Sequence, residues 1–258
     1  MIGGGKMGEA LLSGLVADGW AAAGELHVVE SDAGRRGVLA GSLPGVSCGD
    51  TAIAGVDTLV AVKPNVVADV CAGLAVLGVP RVVSIAAGVR TGAIEAVTGE
   101  GIPVVRVMPN TPSLVGEGAA AVAGGRAASD EDIEWVARIL SAVGEVVVVP
   151  EALLDAVTGL SGSGPAYVFL LAEALMDAGE AEGLPREVAV ALTEQTLLGA
   201  ATLLSRSDDP AATLRENVTS AGGTTAAGLA VFEAGGFRQL VSDVVAAATE
   251  RSRQLGVG

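Results

Sequence analysis

Gly3-Gly4-Gly5-Lys6-Met7-Gly8, running straight into Glu9-Ala10-Leu11-Leu12-Ser13-Gly14-Leu15, decides how the first half of this 258-residue chain is read. As G-x-G-x-x-G it sets glycines at 3, 5 and 8, and an apolar helical period begins at once. Each glycine has a separate task in a strand-to-helix turn. Gly3 permits the tight turn, Gly5 lets the backbone approach a pyrophosphate, and Gly8 lets helix and strand pack closely. The helix start at Lys6 and Met7 then offers unpaired N–H groups and a positive dipole end to the phosphates.

With 37 glycines in the chain such a spacing arises easily, so its surroundings carry the weight. Leu26-His27-Val28-Val29-Glu30 reads as a second strand ending in an acid, roughly 20 residues past the third glycine, where a ribose-binding carboxylate is expected. Only Met1 and Ile2 precede the turn, whereas a strand of about five residues is ordinary. The first strand is therefore expected to be curtailed, or to begin upstream of this numbering.

Composition narrows the classes. Half the residues are hydrophobic but only 2% are aromatic, so the core must be built from Ala, Val and Leu. A net charge of −15 argues against a nucleic-acid partner, which needs a basic face. No uninterrupted apolar run reaches the roughly 18 residues of a membrane span, and no signal peptide is visible. Cys48 and Cys71 make no metal or redox spacing, and with His27 the lone histidine a metal site is not expected. The reading is a cytoplasmic protein with reduced thiols. Lys6 and Lys63 are the only lysines, and both fall inside candidate motifs.

Residues 1–150 alternate strand-like and helix-like stretches. The strand-like runs are Asp57 to Val62, Arg81 to Ile85, Val104 to Val107 and Glu145 to Val149. Helical lengths of Ala, Leu and Val lie between them, at Ala68 to Leu77 and Asp130 to Val143. Such alternation predicts an α/β domain with a parallel, Rossmann-type sheet, whose ligands bind in loops at the carboxyl ends of the strands. Those loops hold Ala61, Val62, Lys63 and Pro64; Ala86, Ala87 and Gly88; and Met108, Pro109 and Asn110. After Pro150 the β-branched runs cease. Pro165, Pro185 and Pro210 each open a helical stretch, where a missing N–H costs nothing. Residues 151–258 are thus expected to form an all-helical domain. Long Ala/Leu helices in barely 100 residues bury one face only against a partner, so a homodimer is expected.

Together, Ala61-Val-Lys-Pro64, Ala86-Ala-Gly-Val89, Arg106 to Pro112, Asp155 to Tyr167 and Asn217 to Thr225 resemble the pyrroline-5-carboxylate reductase family over essentially the whole chain. Ala221 departs from the proline usual there. The resemblance implies reduction of a cyclic imine by a nicotinamide, NADPH or NADH, to give proline. It implies that Thr225 hydrogen-bonds the imine nitrogen while Ser220, Gly223 and Thr224 hold the carboxylate. It also implies dimers that can assemble into larger rings. The glycines and hydroxyls of this stretch suit a carboxylate, and the stretch leads into a helix start. A Ser or Thr before a helix is also an ordinary cap, which is the reading preferred for Thr219.

Other roles stay open. Lys63 would face the cofactor phosphates, the substrate carboxylate or solvent, and Met108 with Asn110 would border the nicotinamide or form a plain turn. Glu30 favours a free ribose hydroxyl, with Asp50 as a second acid. Arg35 and Arg36 would instead grip a 2′-phosphate or lie on a solvated helix face. Ser161-Gly-Ser-Gly-Pro165 lacks the Gly-Lys-Ser/Thr ending of a P-loop and reads as close backbone packing at a helix start. A related two-domain 3-hydroxy acid dehydrogenase would need a lysine in the helical domain, and none occurs beyond Lys63. A non-catalytic dinucleotide sensor is the rival from another class.

Overall fold

The computed structural model describes residues 1–256. They form two compact units, one comprising residues 1–165 and the chain's end from 245 onward, the other residues 166–244.

The first unit begins with helix α1 (Lys6–Ala17), followed by β1 (His27–Val29), α2 (Ala33–Ser42) and β2 (Ser47–Gly49). Then come β3 (Thr58–Val60), α3 (Val67–Val76), β4 (Val82–Ser84), α4 (Thr91–Thr98) and β5 (Val104–Met108). It continues through β6 (Gly118–Gly124), α5 (Asp130–Ser141), β7 (Gly144–Val148) and the short α6 (Leu154–Val157). Strands β3 to β7 lie side by side in sequence order, and β1 pairs with β2. Ile2 joins the two groups, bridging in parallel to Val29 on one side and to Val60 on the other. Its N–H donates to the Leu59 carbonyl at 2.7 Å, and its carbonyl accepts from the Ala61 N–H at 2.7 Å. The expected first strand is thus reduced to one bridging residue, yet it keeps the central place that a dinucleotide-binding sheet gives its first strand.

Two strands, β6 and β7, depart from the parallel expectation by running against β3 to β5. Gly118–Gly124 was not read as a strand, and it runs antiparallel to β5 before pairing in parallel with β7. Only residues 109–117 connect it to β5, too few for the dozen or more that a parallel crossover requires. Its Gly-Ala-Ala-Ala-Val-Ala-Gly lacks the β-branched signature because neighbours press close. A Cβ on Gly118 would lie 2.8 Å from the Val143 carbonyl oxygen, and one on Gly124 2.9 Å from Ile133 Cδ1.

Alternation along the strands serves both faces of the sheet. Val83, Val105 and Val122 pack with Leu11, Val136 and Leu140, while Val82 and Val104 pack with Val67, Leu74 and Ile94 on the other face. Helices therefore cover both sides, as a doubly wound sheet requires.

The second unit is helical: α7 (Gly164–Ala181) from Ala166 onward, α8 (Arg186–Arg206), α9 (Ala211–Asn217), α10 (Thr224–Ala234) and α11 (Phe237–Leu255) as far as Val244. Of its residues only Ala189 is buried, while Phe169, Leu170, Leu192, Leu198, Leu203 and Val231 lie exposed. Among the described residues α8 is the one helix long and apolar enough, by length and composition alone, to cross a membrane. The end of α11 returns to the first unit, where the Ser252 hydroxyl donates to Asp155 at 2.7 Å.

Candidate active site

The three glycines of the opening turn divide their tasks as the spacing implies. Gly3 has φ +100°, a conformation open mainly to glycine. A Cβ there would sit 2.5 Å from the Ala61 carbonyl oxygen, and one on Gly8 would collide with the Gly3 carbonyl oxygen. Around Gly5, by contrast, an added Cβ would meet no protein atom within 4 Å. The turn is tight where it faces protein and open at Gly5. Gly5 is also the N-cap of α1 and supplies no side-chain cap to the N–H groups of the first turn, where Lys6 is exposed and Met7 half-buried. An open backbone surface beside uncapped helix donors fits a bound diphosphate.

At the end of β1, Glu30 is held in place. Its Oε2 accepts from the Gly4 N–H at 3.1 Å, and its Oε1 from the Asp32 N–H at 3.0 Å and the Ser31 hydroxyl at 3.3 Å. The Asp32 N–H, aided by those of Gly4 and Ser31, outweighs partial burial and holds the carboxyl below the usual carboxylate range. Neither arginine lies on a solvated helix face. Arg35 donates from Nε to the Gly4 carbonyl at 2.7 Å and pairs with Glu9 at 2.6 Å. Arg36 donates to the carbonyls of Glu30 at 2.7 Å and Ser31 at 2.9 Å, with Asp50 4.0 Å away. Glu9 also accepts from the Ser42 hydroxyl, and that bond and Arg35 hold its carboxyl low. Sequence reading passed over Glu9, since an acid in a helix's first turn is ordinary dipole complementarity.

His27 sits half-buried on β1, as expected of the lone histidine. Its Nε2 lies 3.1 Å from the Thr51 carbonyl, which only accepts, so Nε2 carries a proton, and Nδ1 lies 3.0 Å from the Ser47 hydroxyl. Among the described residues no three His, Cys, Asp or Glu side chains gather to hold a metal ion.

The other strand-end loops cluster at the carboxyl ends of the sheet. Ala61 and Val62 follow β3 half-exposed, and Lys63 opens a 3₁₀ turn at Pro64 with its side chain exposed. Ala86 is buried and Ala87 exposed. A Cβ added to Gly88, at φ +78°, would lie 3.4 Å from the Leu255 carbonyl carbon. The Asn110 carboxamide is engaged at both ends, accepting from the Ala119 N–H at 2.8 Å and donating to the Ser161 carbonyl at 3.1 Å. Asn110 therefore ties its loop to the Ser161–Pro165 turn. Met108 lies there too, for a Cβ on Gly162 would collide with its Cε. The close packing is at Gly162, the last residue of a π-helical stretch Thr158–Gly162, while Gly164 at the start of α7 has open space around it.

Behind these loops is a buried polar set that the sequence did not disclose. The Glu151 carboxylate accepts from the Thr91 N–H and hydroxyl, both at 2.7 Å, and from Arg106 at 3.3 Å. It caps α4 from 60 residues away and neutralises Arg106, which is 2% exposed. No local spacing signals a pairing over that distance.

In the second unit, Ser220, Gly223, Thr224 and Thr225 gather at the start of α10. Gly223 is its N-cap, with no side-chain cap, and Thr224 and Thr225 are the first two helical residues, both exposed. Gly222 turns the chain with φ +73°, and the Gly223 N–H donates to the Ser220 carbonyl at 3.0 Å. Thr219 corrects an expectation. Its hydroxyl donates backwards to the Arg215 carbonyl at 2.6 Å, closing the end of α9 rather than capping α10. The hydroxyls of Ser220, Thr224 and Thr225, with free N–H groups at an uncapped helix start, suit a carboxylate and a hydrogen-bond acceptor beside it.

Comparison with known proteins gives the same outline. Residues 151–255 match a family model described as pyrroline-5-carboxylate reductase dimerisation, and residues 1–88 match one described as NADP oxidoreductase, coenzyme F420-dependent. A pyrroline-5-carboxylate reductase of Synechocystis sp. is 44% identical, covering 99% of this chain and 97% of that protein. The structure is similar to that of a pyrroline-5-carboxylate reductase from Coxiella burnetii, with a TM-score of 0.91, 35% identity and coverage of 98% and 96%. It is similar also to a Plasmodium falciparum pyrroline carboxylate reductase with NADP bound, with a TM-score of 0.84, 30% identity and coverage of 99% and 96%.

Proposed function

The chain belongs to the pyrroline-5-carboxylate reductase family, and from that premise we propose that it reduces 1-pyrroline-5-carboxylate to L-proline with NADH or NADPH, the last step of proline synthesis. One observation carries the reading. A single chain pairs a glycine turn open at Gly5 with a hydroxyl-rich, uncapped helix start at Ser220–Thr225.

When bound, the reduced nicotinamide supplies the hydride that the imine carbon accepts. The chain's part is to bind and orient. Gly3, Gly5, Gly8 and the N–H groups at Lys6 and Met7 hold the diphosphate, and Glu30, Arg35 and Arg36 form the adenosine ribose site. The loops Ala61–Pro64, Ala86–Gly88 and Met108 border the nicotinamide, and Asn110 serves by fixing its loop rather than through its committed carboxamide. Ser220, Gly223 and Thr224 hold the substrate carboxylate, while the Thr225 hydroxyl donates to the imine nitrogen. An imine that arrives protonated needs no strong protein acid, consistent with the absence of one among the candidates. Residues 1–150 form the dinucleotide domain of this reading, and 151–258 the substrate-binding and dimerisation domain, with dimers able to build larger rings. Its partners are the small-molecule substrate and a second copy of itself, not nucleic acid or membrane, and its place is the cytoplasm.

Steady-state oxidation of NADH and NADPH with pyrroline-5-carboxylate is the test. Turnover is expected with at least one, and Thr225→Ala is expected to lower kcat/KM by about 2- to 12-fold, the worth of one hydrogen bond. Activity unchanged by Thr225→Ala would show that residue to be misassigned. Cofactor binding with no turnover would replace the reductase with a dinucleotide sensor.

A further inference from the structure

We infer that the adenosine ribose site of this chain is built to take a free 2′-hydroxyl and to reject a 2′-phosphate, so that Glu30, backed by Glu9 and Asp50, selects NADH over NADPH. The inference rests on the dinucleotide reading above and goes beyond it, since that reading leaves both reductants open.

The first support is the fixed orientation of Glu30. One of its oxygens accepts from both Ser31 and Asp32, whereas Oε2 accepts only from the Gly4 N–H. A carboxylate oxygen has two acceptor positions, so Oε2 keeps one for a ribose hydroxyl. It is tied to the same glycine turn that cradles the diphosphate.

The second support is the commitment of the neighbouring cations. A 2′-phosphate site normally draws on an arginine near the end of this strand. Arg35 is turned back to Glu9 and the Gly4 carbonyl. Arg36 is spent on the carbonyls of Glu30 and Ser31, with Asp50 beside it. Each guanidinium is thus held by protein acceptors, and its charge already faces a carboxylate, Glu9 for Arg35 and Asp50 for Arg36. No lysine occurs anywhere in residues 26–51.

The third support is the sign of the local charge. Around Glu30, the acids Glu9, Asp32 and Asp50 stand with it against Arg35, Arg36 and the exposed Lys6 of the turn, so the local charge is negative before any ligand enters. A 2′-phosphate would add about two further negative charges to it. A ribose hydroxyl adds none and donates to the acid already in place.

Equilibrium titration of the full chain with NADH and with NADPH, read by nicotinamide fluorescence, tests this without turnover. At low salt NADH is expected to bind at least about tenfold more tightly, because like charges set together are costly. The ratio is expected to shrink as salt rises, since screening weakens repulsion and leaves a hydroxyl contact largely untouched. Glu30→Gln is expected to bring the two affinities within about threefold of each other, chiefly by strengthening NADPH. Should that variant fail to fold, Asp50→Asn carries the test. Its side chain is 69% exposed, and its substitution removes a negative charge 4.0 Å from Arg36, so the gap should narrow. Equal or tighter binding of NADPH by the unaltered chain, or a ratio indifferent to salt, overturns the inference. Selective NADH binding without reduction of pyrroline-5-carboxylate would keep it and defeat the proposed reaction. Turnover with equal affinities would do the reverse.

Discussion

The two units of this molecule solve the burial problem in opposite ways. The first closes a core on both faces of its sheet, with Leu11, Val83, Val105 and Leu140 on one side and Val67, Val82 and Ile94 on the other. The second buries only Ala189 and leaves leucines and phenylalanines facing outward. A segment whose apolar side chains remain open within one chain is half of a core. The family model matching residues 151–255, described as dimerisation, names the other half as a second copy. Stability of the first unit should therefore be a property of the chain, and that of the second a property of protein concentration.

The sharpest way to break this comparison is a charge placed on each surface. Leu198→Asp on α8, at a side chain 62% exposed within one chain, is expected to weaken self-association by about 100-fold or more. Val76→Asp on α3, where the residue is 88% exposed, should shift stability by no more than about 0.5 kcal/mol. Sedimentation at several concentrations reads the first and urea unfolding the second. Dimers that survive Leu198→Asp would place the apolar contact elsewhere on the helices.

Within the first unit, Glu151→Ala should remove about 3 kcal/mol in urea unfolding, because it strands Arg106 and uncaps α4 together. The expected loss is independent of protein concentration, which separates it from a dimer effect.

The glycine turn offers a finer cut. Gly8→Ala should destabilise the fold by about 1–3 kcal/mol, since its Cβ collides with the Gly3 carbonyl. Gly5→Ala meets open space, so the melting temperature should hold while dinucleotide affinity falls. Affinity kept by Gly5→Ala would move the diphosphate away from this turn.

The smallest effect is a pH dependence expected from Glu9 and Glu30 beside the glycine turn. The Ser42 hydroxyl and then Arg35 lower the Glu9 pKa, and the Asp32 N–H leads the lowering at Glu30. Carboxyls depressed in the folded state add stability above the ordinary carboxylate pKa and lose it as pH falls through the folded value. Urea midpoints should thus be flat at neutral pH and decline below about pH 4.5. Ser42→Ala should reduce that acid-side slope by lowering the neutral midpoint slightly, with stability at low pH nearly unchanged.

Much of this was legible in the chain. Proline at 165, 185 and 210 stands at the opening of α7, α8 and α9, because a proline ring suits a first turn and little else in a helix. The β-branched runs at 82, 104 and 145 became strands for the reason they read as strands, namely that such side chains pack well on a pleated surface. Glu30 was found by its distance from the glycines. By contrast, β6 was missed because its alanines and glycines answer to the close approach of Val143 and Ile133, not to any local preference.

By itself the sequence determined the order of elements, the glycine turn, the acid beyond it and the hydroxyl run at Ser220–Thr225. These are contiguous signals, set by local sterics and by period. Only the tertiary structure decided that Arg35 and Arg36 are occupied, that Asn110 ties two loops together, that Thr219 closes α9, and that Glu151 meets Arg106. All of these residues but Thr219 find partners from 5 to 60 positions away, and Thr219 turns to the helix behind it rather than the one ahead. A side chain's choice among several partners depends on which of them folding brings within hydrogen-bond reach, and adjacency in the chain does not record it.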